Sequence, residues 1–82
     1  MNIFPNPASE NITIHYSLPA KESAQAMEIV ISDVRGKTIS RTPLKELQGK
    51  VEIPAGNYAP GIYICVLSSG KKLLDAQKVV VK

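Results

Sequence analysis

The chain has 82 residues, enough for one domain and one core, because a polypeptide this short buries only about 60% of the surface its unfolded form exposes. Hydrophobic residues make up 44%, but with three Tyr, one Phe and no Trp the burial must come mainly from Val, Ile and Leu. The net charge of +3 arises from Lys and Arg scattered along the chain without a dense run to follow a phosphate backbone, so no nucleic-acid partner is expected, and no apolar stretch approaches the roughly 20 residues of a membrane span, so no membrane insertion is expected either.

The start, Met1 to Pro7, lacks the charged and apolar regions of a signal peptide, which places any export signal of a parent protein upstream. Asn11 to Leu18 then alternates strictly, with Ile12, Ile14, Tyr16 and Leu18 on one face and Thr13, His15 and Ser17 on the other, the period of a half-buried strand that Pro19 stops. Lys21 to Ala26 is too short for a stable isolated helix and reads as a loop. Alternation resumes from Met27 to Asp33. Asp33-Val34-Arg35-Gly36 follows as a turn in which Gly36 takes positive φ and the Asp33 carboxylate caps backbone donors, leading by a hairpin into Thr38 to Thr42.

Leu44 to Gln48 carries no diagnostic pattern. Val51 and Ile53 alternate with Lys50 and Glu52, and Pro54, Gly56, Asn57, Pro60 and Gly61 crowd into a turn-rich connection. Ile62 to Ser68 is apolar at both parities, the expectation for a central strand covered on both sides. Ser69-Gly70-Lys71 reads as a tight turn before a last strand, Lys72 to Lys82, with β-branched Val79, Val80 and Val81. Gly36, Gly49, Gly56, Gly61 and Gly70 are isolated, each expected at a turn rather than in a phosphate cradle. Six or seven short strands joined by turns predict an all-β, immunoglobulin-like antiparallel β-sandwich of about seven strands.

Chemistry has little material here. Catalysis needs a nucleophile, a base and a stabiliser brought together, but the chain has one His, one Cys and acids dispersed singly, so no catalytic, cofactor-binding or metal-binding residue is assigned and no enzyme is expected. His15 is expected to face solvent, and Cys65, without a disulfide partner, to be a small buried hydrophobe. Asp33 and Asp75 lack the neighbouring carboxylates of a calcium loop. Tyr58, read as exposed, could stack on a sugar, although a lid packed over the sandwich edge is the preferred reading.

Three segments, in order, carry a resemblance: Ile3-Phe4-Pro5-Asn6-Pro7-Ala8, then Asp33-Val34-Arg35-Gly36-Lys37-Thr38-Ile39, then Pro60-Gly61-Ile62-Tyr63 with the closing Lys78-Val79-Val80-Val81-Lys82. Together they resemble the type A C-terminal sorting domain of the type IX, or Por, secretion system over nearly the whole chain. Pro5-Asn6-Pro7 would form an extended, donor-poor lead into the first strand. The resemblance makes Pro5, Asn6, Pro7, Asp33, Gly36, Gly61, Tyr63 and Lys78 to Lys82 the signal residues, and it puts Tyr63, Cys65 and Leu67 on one core face.

By that resemblance, residues 1–82 are a single sorting domain excised from a larger secreted precursor. The domain would be fused behind a cargo such as a protease, glycoside hydrolase or adhesin of a Bacteroidetes-type bacterium. Its partners would be the outer-membrane translocon and a sortase-like cysteine peptidase that removes it near or before Met1, leaving the cargo at the cell surface or in the medium after transit through the periplasm. The valine-rich last strand, if at a sheet edge, could also pair with another chain by strand addition. Alternative functions on the same fold are an immunoglobulin-like adhesive or carbohydrate-binding module and a passive spacer.

Overall fold

The alternation at the start of the chain becomes a buried strand face. The computed structural model describes residues 1–4, 10–18, 27–70 and 72–82. Its seven strands are β1 (Asn2–Phe4), β2 (Asn11–Ser17), β3 (Met27–Asp33), β4 (Thr38–Pro43), β5 (Gln48–Pro54), β6 (Gly61–Ser69) and β7 (Lys72–Val81). In β2, Ile12, Ile14 and Tyr16 are buried and His15 and Ser17 exposed, as period two requires. The loop expected at Lys21 to Ala26 and the lead at Pro5 to Pro7 lie outside the described residues.

One sheet has the order β1-β2-β5 and the other β4-β3-β6-β7, with every neighbouring pair antiparallel. The chain changes sheet after β2, β4 and β5, which makes the predicted sandwich. In the constant-type immunoglobulin arrangement the fourth strand lies in the sheet of the first two; here β4 stays with β3 through a hairpin and widens the opposite sheet. The core is aliphatic and supplied by both sheets, with Ile12, Ile14 and Ile53 facing Ile29, Ile31, Leu67 and Val79. Each such side chain contributes about 1.5–3 kcal/mol when fully buried.

Several details depart from expectation. Asn2–Phe4 pairs with β2 as a short strand of its own, Asn2 opposite His15 and Phe4 opposite Thr13; three residues with one half-buried side chain give no alternation to detect. Gly49 is inside β5, opposite Tyr16, not at a turn: a Cβ there would meet the Tyr16 hydroxyl at 3.3 Å, so the glycine makes room for the ring. The uninformative Leu44 to Gln48 segment closes one end of the sandwich, where buried Leu44 donates its amide to the Met27 carbonyl (2.9 Å) and Leu18 donates to the Leu47 carbonyl (2.8 Å).

β6 is central within its sheet but is not covered on both sides. Tyr63, Cys65 and Leu67 are buried on one face, whereas Ile62 on the other is 44% exposed and Ile64 and Val66 are half-buried. The doubly apolar pattern therefore marks a sheet whose outer face stays partly apolar. Replacing the inward Ile29 by Ala should cost about 2–5 kcal/mol through lost burial and a cavity, while Ile62→Ala should cost less than about 1 kcal/mol. Equal losses in chemical denaturation would contradict the assignment of the two faces.

Candidate functional site

Local hydrogen bonding builds the β3–β4 turn as its sequence anticipates. Asp33 Oδ1 accepts from the Arg35 and Lys37 amides, both at 2.9 Å. The Gly36 amide donates to the Asp33 carbonyl and the Asp33 amide to the Lys37 carbonyl, each at 3.0 Å. Gly36 has φ of +90°, where a side chain would be strained even though nothing stands within 4 Å of a Cβ. The Lys37 amide, more than any other group, holds the Asp33 carboxyl below the usual carboxylate range; the Arg35 amide and the charges of Arg35 and Lys37 add to it against the opposing effect of burial. Asp33 is thus occupied as a cap.

The β5–β6 connection is fixed by a tyrosine. Tyr63, buried at the start of β6, donates its hydroxyl to the Ala59 carbonyl at 2.6 Å, clasping the loop four residues upstream in the manner of the tyrosine corner of Greek-key sandwiches. The Tyr58 ring packs 5.3 Å from that of Tyr63 at 41°. Tyr58 is half-buried and packed on the core, so it is not the exposed platform considered from sequence but a lid.

Strand register brings the two motifs together with the chain's last strand. Asp33 lies opposite Tyr63 and Tyr63 opposite Val79, while Gly61 pairs with Val81 and Ile62 with Val80. The Asp33–Gly36 turn, the Gly61–Tyr63 corner and residues 78–82 therefore occupy one end of the four-stranded sheet. Val79 and Val81 are buried in the core, Val80 is half-buried on the outer face, and Lys78 and Lys82 are exposed. Pro5, Asn6 and Pro7 lie outside the described residues. Glu10, where description resumes, accepts the Ala55 amide at 2.8 Å, beside the same connection.

Between the turn and the connection runs an open groove of about 440 Å³, lined among others by Val34, Arg35, Lys37, Ile39 and Ile62. Sequence reasoning placed Ile62 in the Gly61–Tyr63 corner and the other four in the Asp33–Ile39 motif, but named none of the five individually as a signal residue, unlike Asp33, Gly61 and Tyr63, which also line the groove. Signals did exist: Val34 is an apolar residue in a turn, and Ile62 has the parity opposite to buried Tyr63.

His15 is exposed, with its ring edge-on to Phe4 at 5.0 Å. Burial first, and the Asp75 charge second, push the Cys65 thiol up to about 11, leaving it protonated at neutral pH. Among the described residues no three His, Cys, Asp or Glu side chains are grouped to hold a metal ion.

A family model described as the secretion system C-terminal sorting domain matches residues 2–82. The chain belongs to this family. No curated protein and no solved structure matches it. As a sorting domain of the type IX pathway, the chain is a C-terminal signal that sends its protein toward the cell surface or medium, a tagging role that asks for no reaction of its own. The hydrogen-bonded turns of this sorting domain are consistent with a surface that is recognised.

Two outcomes test this geometry. The Asp33 carboxyl should titrate by NMR below the ordinary value of about 3.9. Its contribution to stability should be complete above that value and vanish as pH falls through the lower folded-state pKa, and Asp33→Asn should remove this acid dependence. Tyr63→Phe should cost about 0.5–1.5 kcal/mol from the lost bond to Ala59, with heightened hydrogen exchange confined to the 55–63 connection.

Proposed function

We propose that the sorting domain acts as a folded address whose informative surface is the end where the Asp33–Gly36 turn, the Gly61–Tyr63 corner and residues Lys78 to Lys82 meet. The supporting observation is the Asp33–Tyr63–Val79 register, which gathers motifs far apart in sequence into one row across three strands. In this reading the outer-membrane translocon engages that end during transit from the periplasm. A sortase-like cysteine peptidase then severs the domain from a passenger fused before it.

The direction of β1 supports the same division of labour. β1 runs from Asn2, opposite His15, to Phe4, opposite Thr13, and so heads toward the Asn11 end of β2, which Glu10 and Ala55 connect to the recognition end. A passenger would approach from the other direction. Met1 is held there by β7, its carbonyl accepting from Gln77 Nε2.

Self-association by strand addition would use β7, an edge strand of its sheet. Its first half is poorly suited, because Leu74 is an extra residue in a bulge and Asp75 and Gln77 stand on the inward face, devices that discourage pairing. The half from Lys78 to Val81 pairs with β6 without a bulge. An adhesive or carbohydrate-binding role loses its main support with the Tyr58 ring packed on Tyr63.

Residues 1–82 fused behind a periplasmic reporter, in a host with the pathway, should deliver the reporter to the surface or medium. Removing Lys78 to Lys82 should retain it in the cells. Because that truncation also deletes buried Val79 and Val81, a Lys82→Glu variant separates recognition from folding: it should keep the thermal midpoint and still lose delivery. Unchanged delivery by both variants counts against the recognition end.

A further inference from the structure

The groove beside the β3–β4 turn has walls that folding does not require. Five large hydrophobic side chains are exposed among the described residues, Phe4, Val34, Ile39, Ile62 and Leu73, and three of them, Val34, Ile39 and Ile62, line this groove. Scattered exposed apolar residues need no explanation, but their concentration in one concavity does. Ile39 is also the extra residue of a bulge, since Ile31 pairs with Ser40 and Ser32 with Thr38. Bulges re-aim a side chain, and here an isoleucine on the groove wall is 38% exposed.

The charge around these walls is positive on balance. Arg35 and Lys37 line the groove, and its one lining carboxylate is Asp33. Asp33 Oδ1 already accepts two amides, and Oδ2 lies 3.8 Å from Arg35. An incoming carboxylate would therefore find cations and little competing negative charge. A second copy of the chain brings the same basic rim and a net charge of +3, so an acidic partner complements this groove better than self-docking does. The volume of about 440 Å³ is in the range of ligand clefts, and an extended peptide places alternate side chains on one face to meet a row of apolar contacts.

We propose that this groove docks an extended segment of a partner protein that alternates aliphatic side chains, seated against Val34, Ile39 and Ile62, with carboxylates that meet Arg35 and Lys37. The identity of that partner as part of the export machinery rests on the sorting function proposed above; the binding chemistry does not.

The test titrates the isotope-labelled 82-residue chain with three end-blocked synthetic octapeptides, one alternating Ile and Val with Asp and Glu, one with Lys and Arg in place of the acids, and one with Ser and Thr in place of the aliphatics. The acidic aliphatic peptide should shift amides of residues 33–39 and 57–63, and its dissociation constant should rise about tenfold or more in Ile39→Ser/Ile62→Ser and in Arg35→Glu/Lys37→Glu. Leu73→Ser, which alters an exposed apolar residue outside the groove, should leave it unchanged. The absence of saturable shifts, shifts confined to the β7 edge, equal binding of the basic peptide, or an equal loss in Leu73→Ser overturns the proposal. Reporter export, measured in parallel, keeps the two readings apart. Groove binding with failed export of the parent fusion supports the groove and overturns the sorting role, and normal export with no peptide binding does the reverse.

Discussion

The register of β6 between its two neighbours is the constraint on which the rest of the molecule depends. Because Tyr63 sits opposite both Asp33 and Val79, a slip of one residue on either side would turn the core face outward and separate the motifs at once. The register is held by the burial of Tyr63, Cys65 and Leu67 against Ile29, Ile31 and Val79, so the apolar core also fixes the end of the sheet proposed for recognition.

Around that register, polar groups are used locally and are largely saturated. The Asp33 carboxylate, the Gly36 backbone and the Tyr63 hydroxyl each close a loop onto itself, and no buried side-chain nitrogen or oxygen lacks a partner among the described residues. Such capped turns present fixed backbone shapes at little entropic cost on binding. The edges are managed separately: the Leu74 bulge with inward Asp75 and Gln77 protects the first half of β7, leaving the regular half next to the recognition end.

Much of this could be read from the chain. Period-two burial located β2 and β3, and the Asp33 and Gly36 chemistry gave a carboxylate-capped turn with Gly36 at positive φ, though not which amides Asp33 caps. What escaped did so for physical reasons. Asn2–Phe4 is too short for its period to show, and the Gly49 role exists only because the Tyr16 ring arrives from another strand. Ile62 and Ile64 look as buried as Tyr63 and Cys65, since hydrophobicity alone cannot say which of two apolar faces a second sheet covers. The groove is a meeting of two loops distant in sequence, and a bulge that repositions Ile39 leaves no mark on composition.

That same uncovered face bears on why a sorting signal should be folded at all. An unfolded chain of this composition would expose every aliphatic residue, and a receptor relying on hydrophobic contact would meet competition from any partly unfolded passenger. Folding withdraws the strongest apolar residues, Ile12, Ile14, Ile29 and Ile31, into the core and leaves a chosen few exposed beside Arg35 and Lys37. Under the groove proposal, discrimination rests on a combination of shape and positive charge that disordered polypeptide does not present. β1 runs toward the proposed recognition end, so under that proposal the approach to the domain stays clear of its address.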